Sequence, residues 1–151
     1  MARLCVHNIS LSLDGYAAGP DHRWSGWWGD DPPYHHPVFV LTHHARPPIT
    51  MQGGTVFHFV SDGIETALDQ AIDAADGGDV RVGGGVATVQ RYLRAGLVDD
   101  IHVVIVPVLL GRGERLFDDV TVLAGYECTQ LVTSASVVHV RISLAGGRTP
   151  A

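Results

Sequence analysis

Val80 to Phe117 reads VRVGGGVATVQRYLRAGLVDDIHVVIVPVLLGRGERLF, and the order of its parts decides the fold. Val80 to Val82 is a short β-branched run, Gly83, Gly84 and Gly85 follow without a break, and Val86, Val89 and Leu93 recur at helical spacing up to Gly96, a natural helix stop. A second apolar strand, Ile101 to Leu110, completes a compact βαβ unit. Three successive residues without Cβ let the backbone approach a bulky anion, and the N–H groups and dipole of a helix start favour negative charge there. Two readings of the glycines stay open: a cradle for a pyrophosphate, or a tight turn that allows close helix–sheet packing. The dinucleotide fingerprint G-x-G-x-x-G is not met, since Val86, Ala87 and Thr88 follow the triplet and no acidic residue ends the next strand. An ordinary Rossmann domain is therefore disfavoured.

Upstream, Val38 to Thr42 and Thr55 to Val60 read as strands, and a helix follows with Ile64, Ala67, Leu68, Ala71, Ile72 and Ala75 on its apolar stripe. Asp62 with Glu65 three residues on has the spacing of a capping box for that helix, and Gly77-Gly78 stops it. Downstream, Cys128 to Ser134 and Ser136 to Leu144 read as an antiparallel edge hairpin reversing at Thr133 to Ala135, with a frayed tail at 146–151. The first strand is expected over Leu4 to Leu13, broken by Asp14-Gly15, with His7 on a solvent face or against a neighbouring subunit. Between Pro20 and Pro37 lie Trp24, Trp27 and Trp28, whose bulk calls for packing over a sheet edge or a subunit contact. The expected class is α/β: a mixed, largely parallel sheet flanked by helices, in a single domain over 1–151.

Composition agrees with one globular core: 151 residues, 46% hydrophobic and 17% charged. A formal charge of −6 provides no broad basic field for nucleic acid or an anionic membrane. No run is long enough to span a bilayer as a helix, which needs about 20 apolar residues. Cys5 and Cys128 form no C-x-x-C or zinc-knuckle pattern, and a reduced cytoplasmic setting is the simplest expectation. Adjacent histidines such as His35-His36 and His43-His44 point to opposite sides of an extended chain, so no metal is expected there, and no G-x-S-x-G elbow suggests a serine hydrolase.

Four segments in order carry a resemblance: Ser10-Leu11-Ser12-Leu13-Asp14-Gly15-Tyr16, Val38 to His44, the triple-glycine turn, and Ile105-Val106-Pro107-Val108-Leu109-Leu110-Gly111-Arg112-Gly113-Glu114-Arg115-Leu116-Phe117. Together they resemble the dihydrofolate-reductase-like family, in the branch that includes the reductase domain of riboflavin biosynthesis. That resemblance implies hydride transfer from NADPH to a small heterocyclic or ribosylated substrate, in a homodimer. It places Gly83, Gly84, Gly85, Val86, Ala87 and Thr88 at the pyrophosphate, Thr42 and His43 on the adenosine side, and Gly15 beside the nicotinamide. Asp14 is implied as the catalytic residue that orients substrate or steers a proton.

One departure stands beside the matches. The family's long helix and cofactor turn after the first strand are missing, because Gly19 to Trp24 runs almost directly into Gly26 to Tyr34. The chain reads as a family member with an internal deletion, and a non-catalytic, dimerising relative is the competing expectation.

Overall fold

The computed structural model describes residues 2–18, 35–119 and 121–147. In chain order its elements are β1 (Leu4–Ser12), β2 (Tyr16–Ala18), β3 (Val38–Leu41), β4 (Ile49–Thr50), β5 (Val56–Val60), α1 (Ile64–Ala74), β6 (Val80–Val82), α2 (Val86–Arg94), β7 (Asp100–Val106), β8 (Glu114–Arg115), β9 (Tyr126–Thr133) and β10 (Val138–Leu144). The described residues fall into two compact units, one holding residues 35–80 and the other residues 3–18 and those from 81 onward. The junction near Pro20 to Trp24, the three tryptophans and the last four residues of the tail lie outside the described residues.

In the first unit β5 is the centre of a three-stranded sheet, parallel to β3 and antiparallel to β4. Helix α1 packs on β3 and buries Ile64, Ala67 and Leu68 of the expected stripe, while Ala71, Ile72 and the C-cap Ala75 are half-buried. Its start differs from the expected capping box. Gly63, not Asp62, is the N-cap, and no side chain caps the helix. The reason lies in the backbone: Gly63 sits at φ 102 and ψ 178, a region essentially closed to residues with a Cβ, which moves the helix entry one residue past Asp62. Asp62 instead offers its backbone carbonyl to the Thr66 hydroxyl at 3.2 Å. Replacing Gly63 by Ala is expected to cost about 1–3 kcal/mol of stability, readable as a lower urea midpoint at unchanged slope.

The second unit is built on a five-stranded sheet in the order β6-β1-β7-β10-β9. β1 and β7 run parallel, and β10 is antiparallel to both β7 and β9, so the parallel pair sits inside and the hairpin ends the sheet. The hairpin turn falls at residues 134–137, later than the sequence pattern suggested, where the Ser134 N–H donates to Val137 O at 2.9 Å. β1 likewise stops at Ser12, one residue short of expectation. Leu4, Val6, Ile101 and Val103 are buried on one face, joined in the interior by Val86, Val89, Tyr92 and Leu93 of α2 and by Leu116. At 0–1% exposure, Leu4, Ile101 and Leu116 each contribute about 2–3 kcal/mol through burial.

The opposite face is polar: strand alternation places Cys5 and His7 of β1, Asp100 and His102 of β7, and His139, Arg141 and Ser143 of β10 on it. Asp100 is its hub, accepting from Arg141 Nε at 2.8 Å and from Ser143 Oγ at 2.7 Å. His102 and His139 stack with ring centroids 5.3 Å apart and share a 3.1 Å nitrogen–nitrogen hydrogen bond. His7, expected on a solvent face or against a neighbouring subunit, is half-buried and stands 3.5 Å from Asp100. On the other face, buried Asp99 holds the chain start through Leu4 N–H to Asp99 Oδ2 at 2.7 Å.

Candidate functional site

In an open α/β sheet, ligands gather beyond the carboxyl ends of parallel strands. Here β1 and β7 end at one edge, Ser12 opposite Val106, and each continues into a loop the sequence had singled out. After β1 comes Asp14-Gly15, and after β7 comes Pro107 to Gly111. The two loops are bonded together: Leu13 N–H donates to Val108 O at 2.8 Å, and Leu110 N–H and Gly111 N–H donate to the two oxygens of Asp14 at 3.2 and 2.7 Å.

Asp14 also accepts from the Ser12 hydroxyl at 2.6 Å, and Ser12 Oγ in turn accepts from Tyr16 N–H at 3.0 Å. Led by the Ser12 hydrogen bond and helped by the backbone N–H groups of Gly111 and Leu110, these donors outweigh desolvation and lower the Asp14 pKa to about 2. Asp14 is therefore ionised at neutral pH, an acceptor that braces two loops. Ser12 and the N–H groups of residues 110 and 111 are hydrogen-bond partners of Asp14 to which the sequence assigned no role. Ser12 stands two residues before Asp14 in the segment that carries the resemblance, whereas the contact across 97 positions to Gly111 had no local signal.

The brace extends to α2. Leu116 N–H donates to Gly15 O at 3.3 Å, β2 pairs with β8 through Tyr16 and Arg115, and Gln90 of α2 donates to Arg115 O at 2.7 Å. The Arg115 guanidinium lies 4.7 Å over the Tyr16 ring. Asp14, Gly15 and the helix opened by the glycine turn are thus linked through residues 110–116.

At that turn the structure bears on the packing part of the second reading of the glycines. A Cβ at Gly83, Gly84 or Gly85 would meet nothing within 4 Å, so close packing does not require them. Gly84 sits at φ +134, which does require glycine, and all three are exposed. Gly85 is the N-cap of α2, with no side-chain cap and no acidic residue in the first turn. Val86, Ala87 and Thr88 form that turn, whose N–H groups lack intrahelical acceptors. The result is an open backbone surface at the positive end of a helix dipole.

Thr42 and His43 belong to the first unit. Thr42 follows β3, donates its N–H to Val60 O at 3.0 Å, and accepts from His44 N–H at Oγ1, 3.1 Å, while His43 is exposed. His35 of the other histidine pair bonds the Gly53 carbonyl at 2.9 Å. A cavity of about 420 Å³ lined by Leu93, Arg94, Asp119, Thr121 and Tyr126 lies at the C-terminal end of α2, away from the glycine turn, and contains none of the expected site residues.

The comparisons with known proteins agree with this fold. The family model of the RibD C-terminal domain matches residues 20–140. No curated protein matches the chain in sequence. Among solved structures, a Shewanella sp. PV-4 protein ascribed to riboflavin biosynthesis superposes with a TM-score of 0.70 at 20% identity, over 95% of this chain and 98% of that one. The riboflavin biosynthesis reductase Rib7 of Saccharomyces cerevisiae gives 0.60 at 14% identity, over 95% and 89%. A Thermotoga maritima diaminohydroxyphosphoribosylaminopyrimidine deaminase/5-amino-6-(5-phosphoribosylamino)uracil reductase gives 0.61 at 15%, over 95% of this chain and 57% of that one. These likenesses fix the dihydrofolate-reductase-like fold, and with the match over residues 20–140 the chain belongs to the family of the RibD C-terminal domain.

Proposed function

We propose that the protein is a reductase of the riboflavin-biosynthesis type, passing a hydride from NADPH to a small heterocyclic or ribosylated substrate. The observation that carries this reading is the open glycine turn at the uncapped start of α2, bonded through residues 110–116 to the Asp14 turn. Both the turn and the helix start fit a pyrophosphate: neither has side-chain bulk or negative charge in the way. When bound, the cofactor supplies the hydride.

The chain's own residues position and shield. Gly83, Gly84 and Gly85 with the N–H groups of Val86, Ala87 and Thr88 hold the pyrophosphate. Gly15 carries the backbone past the nicotinamide. Asp14, held ionised, keeps the loop after β7 in place and orients substrate, so the proton comes from another source. Exposed Leu13, Val108, Leu109 and Leu110 flank that turn and supply an apolar surface from which water can be displaced. The preference for NADPH over NADH follows the family. Titration of the purified chain with NADPH, followed by calorimetry, tests the reading: saturable one-to-one binding is expected, and its absence favours the non-catalytic, dimerising relative.

The protein is proposed to work as a homodimer in a reduced, cytoplasmic setting. Among the described residues β9 ends the sheet, with Leu131 64% and Val132 46% exposed, an edge that invites strand pairing with a second copy. Sedimentation is expected to show a dimer that Leu131→Lys with Val132→Lys converts to monomer; a wild-type monomer at all concentrations overturns this. Among the described residues no helix is long and apolar enough to cross a membrane.

A further inference from the structure

On the polar face of the five-stranded sheet, Cys5, His7 and Asp100 offer a thiol, a ring nitrogen and a carboxylate oxygen that all lie within 4.8 Å of one another. We propose that these three residues form a binding site for a zinc-type divalent cation, with one coordination position open to water.

The chemistry of the donors sets the ion class. Sulfur, imidazole nitrogen and carboxylate oxygen on three sides suit zinc(II) or cobalt(II), which take these ligands tetrahedrally. His7 Nε2 stands 3.5 Å from Asp100 Oδ1, close to the roughly 3.3 Å that two donors keep across a tetrahedral ion with bonds of about 2.0 Å. The same nitrogen is buried and has no hydrogen-bond partner among the described residues. A buried polar atom left unpaired is uncommon, and a ligand is one way to satisfy it.

The surroundings orient the donors. Arg141 and Ser143 hold Asp100 from the β10 side, as outer partners commonly hold a ligating carboxylate, with Oδ1 towards His7. The β1–β7 register shifts between Val6 and Ile9, and Asn8 adopts φ 60, so a bulge lies directly beside His7. On binding, the Cys5 thiol gives its proton to solvent and the thiolate and Asp100 carboxylate neutralise the ion. The nearby Arg141 guanidinium opposes a further positive charge and keeps affinity below that of a four-ligand site. Cys5 lies nine residues before Asp14, roughly 30 Å along an extended chain, so this site is separate from the proposed reductase centre.

Cobalt(II) titration of the metal-stripped full chain tests the proposal, because a thiolate ligand produces a charge-transfer band that histidine-only binding does not. One cobalt per chain with that band is expected, surviving Cys128→Ser and lost in Cys5→Ser. His7→Gln, at a half-exposed position, provides a second arm if the buried Cys5 variant fails to fold, and is expected to weaken cobalt binding at least tenfold. Zinc at a hundredfold excess over its dissociation constant is expected to raise the melting temperature by about 5–10 °C. No charge-transfer band, a band that follows Cys128, or a band unchanged in His7→Gln overturns the proposal.

Discussion

Gly84→Asp is expected to weaken NADPH binding at least a hundredfold while the far-UV spectrum stays that of the wild type. Two effects act at one position. Gly84 occupies φ +134, so any Cβ strains the turn by about 1–3 kcal/mol or forces the backbone to move. The aspartate also sets a negative charge in the space where the cofactor's phosphates would sit, reversing the attraction of the α2 N-terminus. Gly84→Ala keeps the strain and omits the charge, and is expected to weaken binding only about tenfold. Equal effects of Ala and Asp would mean that geometry alone matters at the turn. Wild-type affinity in the aspartate variant would remove the glycine turn from the cofactor site altogether.

What the sequence made legible follows the range of the interactions. The βαβ unit was readable because each of its signals, β-branched run, glycine triplet, 3.6-residue stripe and Gly96 stop, lies within a few residues of the next. The apolar stripe of α1 was readable for the same reason. Its cap was not, because the spacing of Asp62 and Glu65 carries no information about the backbone at Gly63. Residue types at the candidate site were legible, but Asp14 was read as a group beside the substrate, whereas its partners at Leu110 and Gly111 are 96 and 97 positions away. The polar sheet face was missed for a related reason. Cys5 and His7 form no motif by themselves, and only the pairing of β1 with β7 sets Asp100 beside them.

That long-range bracing gives Asp14 its sharpest test. Asp14→Asn keeps the size of the side chain but replaces one acceptor oxygen with a donor nitrogen. Oδ1 faces the Ser12 hydroxyl and Leu110 N–H, and Oδ2 faces Gly111 N–H, so in either orientation the amide confronts a backbone donor. The loop after β7 then loses an anchor, and kcat/KM is expected to fall ten- to a hundredfold while the Kd for NADPH changes less than threefold. Ser12→Ala, which removes the largest cause of the lowered pKa, is expected to reproduce part of the loss without touching the carboxylate. Stability supplies a readout that a proton-transfer role would not move. With the folded pKa near 2 and the ordinary value 3.8, Asp14 stabilises the fold above about pH 4, and this contribution disappears as pH falls from 3.8 towards 2. The melting temperature of Asp14→Asn should therefore lie below wild type at pH 7, with the gap closing by pH 2. A gap that persists at pH 2 would mean that the anchor does not depend on the charge of Asp14, and an activity profile between pH 5 and 8 whose acid limb vanishes in Asp14→Asn would mean that Asp14 titrates in the working range and exchanges a proton with substrate.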